Sequence, residues 1–237
     1  MRNAVPSCST IGRIKNSYFF CPRYNSTAAV LVDGNENRNN TMNIAVFCGS
    51  SQPRNKEIVE AAAVLGRRIA QEGHTLVYGG SNLGLMGVVS GAALEEGGRV
   101  VGVIPNLFSD DIIHSQRVTE LVRVGSMAER KERIMEMCDA FVALPGGIGT
   151  IDEVSEVMVM NQLGLVRDHS GANHQPWQRI LDGTYRTKPM ILLNIDGYYN
   201  PFLEQLRLVK EEGLMRSDAG LVSVKTVDDI FSILNQK

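Results

Sequence analysis

The chain has 237 residues, a formal net charge of −2 and 43% hydrophobic residues. This length suits one sizeable α/β domain, and a charge so near zero gives no support for a nucleic-acid partner or a membrane-surface partner. No apolar run reaches the roughly 18 residues that a membrane-spanning helix needs, so the sequence predicts none.

The first segment of the chain, residues 1–41, differs in composition from the rest. It is basic and rich in Ser, Thr and Asn, and its earliest acidic residue is Asp33. This composition is typical of an organelle transit peptide, but a flexible N-terminal extension looks the same, and both interpretations stay open. We expect a cytoplasmic protein unless this segment targets it to an organelle.

Four cysteines occur in the chain, without a CxxC pair or a zinc-like spacing to histidine. This argues against a zinc site, and we expect neither another metal nor a cofactor. Cys48 ends an apolar run and Cys138 closes a helical one, which predicts reduced, buried thiols in a cytosol-like compartment.

From residue 43 onward, short apolar runs alternate with amphipathic ones. This pattern predicts, in chain order, a strand at 43–48, a helix at 56–72, a strand at 75–78, a helix at 85–96, a strand at 100–104, a helix at 127–137, a strand at 140–144, a helix at 150–163, a strand at 190–194, a helix at 201–212, a strand at 221–224 and a helix at 227–234. Such alternation indicates a single α/β domain over residues 42–237. We expect a doubly wound, mostly parallel, Rossmann-like sheet with helices on both faces.

Glycine-rich turns follow the first, second and fourth predicted strands. Parallel sheets bind ligands at the carboxyl ends of their strands, and a strand-to-helix turn directs backbone N–H groups and the positive end of a helix dipole at one point. We therefore expect a phosphate-bearing substrate to bind here, at Gly49 and Ser50 in the first turn, Gly80 and Gly84 in the second, and Gly146, Gly147, Ile148, Gly149 and Thr150 in the third. The amides of the third turn are expected to hold its phosphate.

The acid Glu153 follows Thr150 by three residues. Beside a bound phosphate-bearing molecule, its carboxylate is placed for acid–base work or for stabilising positive charge. The same Thr-x-x-Glu spacing also describes a capping box, in which the glutamate only bonds back to the start of its helix.

The helix at 127–137 carries Arg130 within its apolar stripe, between Met127 and the pair Ile134 and Met137. A guanidinium in a buried stripe must meet an anion or a pocket, and the structural alternative is a simple ion pair with Asp139 or Glu153.

Two familiar nucleotide fingerprints are absent from the sequence. The first turn reads Cys-Gly-Ser-Ser rather than G-x-G-x-x-G, which argues against a nicotinamide dinucleotide, and no turn ends in Gly-Lys-Ser or Gly-Lys-Thr. The three turns are therefore more typical of a mononucleotide site.

Three segments together resemble the LOG ("Lonely Guy") family. They are Gly-Gly-Ser-Asn-Leu-Gly-Leu-Met-Gly at 79–87, Met-Ala-Glu-Arg-Lys at 127–131 and Pro-Gly-Gly-Ile-Gly-Thr-Ile-Asp-Glu at 145–153, and the resemblance runs from about residue 43 to the C-terminus. It implies hydrolysis of the N-glycosidic bond of a cytokinin riboside 5′-monophosphate, or of an AMP-type nucleotide, to free base and ribose 5-phosphate. It also implies a homodimer or a larger homo-oligomer.

The resemblance further implies that Arg130 and Glu153 are the catalytic pair and that Lys131 and Asp111 contact the substrate. The chain departs from the family at Ala128, where relatives usually have histidine, at Ser81, where glycine is common, and in an insertion at about 167–186. A non-catalytic nucleotide sensor or carrier of the same fold is the alternative function, and it would not need Arg130 and Glu153 together.

Overall fold

A computed structural model describes residues 41–109, 118–164, 187–215 and 217–235. Within these ranges, seven strands and six helices alternate along the chain. They are β1 (Asn43–Phe47), α1 (Lys56–Gln71), β2 (Thr75–Tyr78), α2 (Gly84–Glu95), β3 (Arg99–Pro105), β4 (Glu120–Val124), α3 (Met127–Met137), β5 (Ala140–Ala143), α4 (Ile148–Gln162), β6 (Met190–Leu193), α5 (Asn200–Glu211), β7 (Leu221–Val224) and α6 (Val227–Leu234).

The seven strands form one sheet in the order β4-β3-β2-β1-β5-β6-β7, and every neighbouring pair is parallel. The chain builds outward from β1 to β4, then returns to the other side of β1 with β5. The carboxyl ends of β1 and β5 thus flank the point where the strand order reverses, which is where open α/β sheets form their ligand crevice.

Both faces of the sheet are covered, because successive strand residues point to opposite sides. On β1, Ile44 and Val46 belong to one buried apolar cluster, while Ala45 and Phe47 belong to another. The first cluster includes buried residues of α1, α2 and α6, and the second includes buried residues of α3 and α4. The expected doubly wound architecture is therefore confirmed.

Helix α1 illustrates how the sequence builds these layers. Asn55 caps its start by accepting a hydrogen bond from the N–H of Glu57 over 2.9 Å. Its apolar stripe, with Leu65 and Ile69 among the fully buried members, packs onto the sheet. No helix of the described residues is long and apolar enough to cross a membrane.

The predicted helices all occur, with ends within two residues of their expected positions. One strand was missed, β4, which lies at the edge of the sheet and has mostly exposed or half-buried side chains. The strand expected as the fourth is therefore β5. Residues 1–40, Asp111 and the whole insertion at 167–186 lie outside the described residues, so their predicted roles stay predictions.

Candidate active site

A cavity of about 530 Å³ opens at the carboxyl ends of the central strands. Its lining combines polar groups with a set of large apolar side chains. The polar members include Ser50, Arg130, Thr150, Asp152 and Glu153, and the apolar ones are Leu83, Met86, Ile104, Phe108, Met127 and Ile148. A cavity of this size and mixed lining is typical of a small-molecule site.

The N-terminus of α4 supplies the anion-binding part of the cavity. Gly147 is the N-cap residue, and it has no side chain to accept a hydrogen bond from the first turn of the helix. The backbone N–H groups of Gly147, Ile148 and Gly149 bond to no other described residue. A Cβ added at Gly147 or Gly149 would meet nothing within 4 Å. Open donors at the positive end of a 15-residue helix are suited to a phosphate.

The geometry of α4 also decides the capping-box alternative for Glu153. Because Gly147 is the N-cap, Thr150 occupies the third helical position and is itself buried. Thr150 and Glu153 therefore do not occupy the two positions of a capping box, and that interpretation is wrong. The side chain of Glu153 is instead directed toward α3.

Arg130 and Glu153 form a buried ion pair at the cavity wall. Nη1 of Arg130 donates to Oε1 of Glu153 over 2.7 Å, and its Nε donates to the carbonyl oxygen of Val103 over 3.1 Å. Arg130 is 8% exposed and Glu153 is 7% exposed. The second carboxylate oxygen, Oε2, bonds to no other described residue, which leaves it able to accept a proton or a hydrogen bond from a bound molecule.

Burial raises the pKa of Glu153 above its ordinary value, although the neighbouring guanidinium opposes this effect. A carboxyl group with a raised pKa is better matched to proton transfer near neutral pH than an ordinary one. Burial also raises the pKa of Cys48, so the thiol in the cavity lining is neutral.

Gly79 creates the space that the guanidinium occupies. A Cβ built on Gly79 would lie 2.2 Å from Nη2 of Arg130 and 2.8 Å from the sulfur of Met86. Real carbon and nitrogen atoms do not approach so closely, so Arg130 holds its position only because residue 79 has no side chain.

The expected burial of Arg130 within its helix is confirmed, but the surrounding stripe differs from the prediction. Met127 is 42% exposed and lines the cavity, whereas Met135, which the pattern did not select, is buried. Met127 is the first residue of α3, and it is partly exposed rather than packed in the core.

Lys131 lies differently from what the resemblance implies. It does not line the cavity, and its Nζ contacts Asp152 at 3.0 Å and also Glu156, both on α4. Hydrogen bonding to Glu156 and Asp152 raises the pKa of Lys131. Because Asp152 does line the cavity, Lys131 offsets a negative charge that would otherwise repel an anion there.

The other expected binding residues divide into two groups. Gly49, Ser50, Gly147, Ile148, Gly149 and Thr150 line the cavity, whereas Gly80, Gly84 and Gly146 do not. Gly84 has a φ of +54°, and a Cβ there would lie 2.4 Å from the carbonyl carbon of Ser50. Its role is to let the second turn pack against the first. Asp111 lies outside the described residues.

Several lining residues were not predicted. Cys48 and Gly79 adjoin turns that the sequence did reveal, so their position was a usable signal. Met127 begins the segment 127–131 that also contains Arg130, so it too had a signal in the sequence. Phe108 comes from a segment with no motif, and only the fold brings it to the cavity.

Comparison with known proteins identifies the relatives of this chain. A family model described as "Possible lysine decarboxylase" matches residues 86–236, a range that includes Arg130 and Glu153. The chain is 38% identical over 184 residues to the cytokinin riboside 5′-monophosphate phosphoribohydrolase LOG of Oryza sativa. The matched region covers 78% of this chain and 68% of the rice protein. It is 36% identical over 195 residues to the cytokinin riboside 5′-monophosphate phosphoribohydrolase LOG4 of Arabidopsis thaliana, and the matched region covers 81% of each chain.

Among solved structures, the Moco carrier protein of Chlamydomonas reinhardtii shares the fold. The TM-score is 0.56 at 24% identity, covering 83% of this chain and 96% of the carrier. At this identity the likeness concerns architecture alone.

Proposed function

The chain belongs to the LOG family, and we propose that it hydrolyses the N-glycosidic bond of a cytokinin riboside 5′-monophosphate, releasing the free base and ribose 5-phosphate. One observation supports a mechanism for this hydrolysis. The Glu153 carboxylate lies in the same cavity as the open N-terminus of α4, with one oxygen held by Arg130.

In the proposed complex, the phosphate accepts hydrogen bonds from the N–H groups of Gly147, Ile148 and Gly149. This anchor fixes the ribose with respect to the buried carboxylate, and holding a reactant in place supplies much of the rate gain in such reactions. Ser50 and Thr150 offer hydroxyls on the same wall of the cavity.

Cleavage of the C1′–N9 bond develops positive charge on the ribose ring, as in other glycosidic hydrolyses. We assign stabilisation of this charge to the free oxygen of Glu153, which also accepts the proton of the attacking water. The water oxygen bonds to C1′, the electron pair of the broken bond remains on the base, and the base takes up a proton from solvent at a ring nitrogen. Glu153 then returns its proton to solvent, so the net change is the addition of one water. Arg130 keeps the Glu153 carboxylate oriented throughout.

The apolar part of the lining suits the base and its N6 substituent. Leu83, Phe108, Met127 and Ile148 are each at least 36% exposed and all line this one cavity. Partly exposed large apolar groups gathered at one opening are typical of a ligand-binding surface. We therefore expect an N6-prenylated nucleotide to be preferred over AMP.

A substrate panel tests the proposed function. N6-isopentenyl-AMP, AMP and the unphosphorylated riboside are incubated with the enzyme, and free base and ribose 5-phosphate are quantified. We expect turnover of the prenylated monophosphate, slower turnover of AMP, and almost none of the riboside, which lacks the anchoring phosphate. Saturable nucleotide binding without base release would favour the carrier alternative instead.

We also propose that the protein assembles as a homodimer or larger homo-oligomer. Val159 on α4 and Leu163, the C-cap residue of that helix, lie one turn apart, and each is 51% exposed, which supports contact with a second copy. Light scattering on the intact protein and on Val159→Asp tests this, because the charge should shift the assembly toward monomer.

The cellular compartment remains a proposal. We propose a cytoplasmic protein, unless residues 1–41 act as a transit peptide. Fusing residues 1–41 to a fluorescent protein tests this, since only a transit peptide would direct the fusion to an organelle.

A further inference from the structure

Two adjacent tyrosines bond to the loop that leads into α4. Tyr198 donates its hydroxyl to the carbonyl oxygen of Gly146 over 2.5 Å, and Tyr199 donates its hydroxyl to that of Leu144 over 2.6 Å. Both tyrosines lie in the connection between β6 and α5, and β6 is the neighbour of β5 in the sheet. A neighbouring connection thus holds the anion-binding loop at two carbonyl groups.

The bond from Tyr198 fixes the direction of a backbone donor. In a planar trans peptide, the carbonyl of one residue and the N–H of the next point in opposite directions. Holding the carbonyl of Gly146 therefore also orients the N–H of Gly147, the first open donor of α4. A Gly–Gly peptide has no side chain on either side to resist rotation, so this orientation needs an external bond.

The connection that carries Tyr198 is itself anchored. Asn194 accepts a hydrogen bond from the N–H of Tyr199 over 2.7 Å. Asn55, the N-cap residue of α1, donates to Asp196 over 2.6 Å, and Asp196 has a φ of 51°. A turn held at both of these points presents the hydroxyl of Tyr198 in a fixed place.

The two tyrosines differ in what their bonds can influence. Leu144 precedes Pro145, so the peptide that Tyr199 holds has no N–H to offer a ligand. Tyr199 is 2% exposed, whereas Tyr198 is 47% exposed, so Tyr199 contributes mainly to the stability of the fold. We propose that Tyr198 is a positioning residue that orients the Gly147 N–H for the substrate phosphate, an inference that rests on the proposed function.

The matched pair Tyr198→Phe and Tyr199→Phe tests this inference, because each variant removes only a hydroxyl. Binding of ribose 5-phosphate and of adenosine, which has no phosphate, is measured by calorimetry for the wild type and both variants, together with Tm. For Tyr198→Phe we expect ribose 5-phosphate to bind about three- to tenfold more weakly, as the loss of one oriented hydrogen bond implies, with adenosine unaffected and Tm within about 2 °C. For Tyr199→Phe we expect a clear fall in Tm with less than a twofold change in ribose 5-phosphate binding.

Unchanged ribose 5-phosphate binding by Tyr198→Phe, beside normal binding by the wild type, would overturn the inference. Equal weakening of ribose 5-phosphate and adenosine, accompanied by a loss of Tm, would also overturn it, because it would show a general structural role. A wild-type protein that neither binds ribose 5-phosphate nor releases base would instead refute the proposed function, and that result is distinct from both of the others.

Discussion

The substitution Gly79→Ala tests how the chain positions its guanidinium. The added Cβ would lie 2.2 Å from Nη2 of Arg130, more than an ångström inside normal contact, so the guanidinium must move. Because this group ends a flexible side chain, it can swing aside, but its bonds to Val103 and Glu153 would not survive the movement. Since breaking a buried ion pair leaves the partner charge uncompensated, we expect the free energy of unfolding to fall by about 3 kcal/mol.

The activity should fall together with the stability. A misplacement of about 1 Å in a catalytic arrangement can lower the rate about 100-fold, so we expect kcat/KM for N6-isopentenyl-AMP to fall by about that factor. The assay is free-base release, combined with a thermal melt of each protein.

Gly91→Ala provides the matched control. Gly91 lies within α2, and a Cβ there would meet nothing within 4 Å. This variant should keep full activity and gain up to about 1 kcal/mol, because alanine favours the helix. Wild-type kcat/KM in Gly79→Ala would refute the assignment of Arg130 to the catalytic arrangement.

Two further predictions concern the charges around the cavity. Since burial raises the pKa of Glu153 and the ionised form accepts the proton, kcat/KM should fall as the pH drops through a value above that of an ordinary glutamate. The pH profile is measured with the substrate concentration expressed as that of the phosphate dianion, so that ionisation of the substrate does not affect kcat/KM. A fall in kcat/KM at the pKa of an ordinary glutamate would contradict the prediction. Lys131→Met should raise KM about two- to fivefold with little change in kcat, because Asp152 would keep an unbalanced charge beside the phosphate. Adding Asp152→Asn should restore KM, and a failure to do so would mean that Lys131 contacts the substrate directly.

Much of the fold could be predicted because its signals are local. The alternation of buried runs with amphipathic runs located all six helices, and the apolar stripe of α3 identified Arg130 as a buried charge. Strand β4 was missed because charged residues interrupt its short apolar run, Glu120-Leu121-Val122-Arg123-Val124. Its position at the edge of the sheet is not the reason, since β7 lies at the opposite edge and was predicted.

The site was predictable only in part, because its details depend on contacts between distant segments. Gly147 and Glu153 lie in the same short segment, 145–153, so the sequence pattern could identify both of them. The partners of Lys131 depend on how α3 and α4 pack, and the bond from Tyr198 to Gly146 joins residues 52 positions apart. No spacing rule within a single segment contains such information.

The central claim is that the Glu153 carboxylate acts on a sugar held by the amides of α4. Glu153→Gln tests it most directly, because the amide oxygen can still accept the bond from Arg130 while the charge is lost. We predict that this variant binds the nucleotide within a few-fold of the wild type but releases free base at least about 100-fold more slowly. Base release at the wild-type rate by a folded Glu153→Gln would contradict the account.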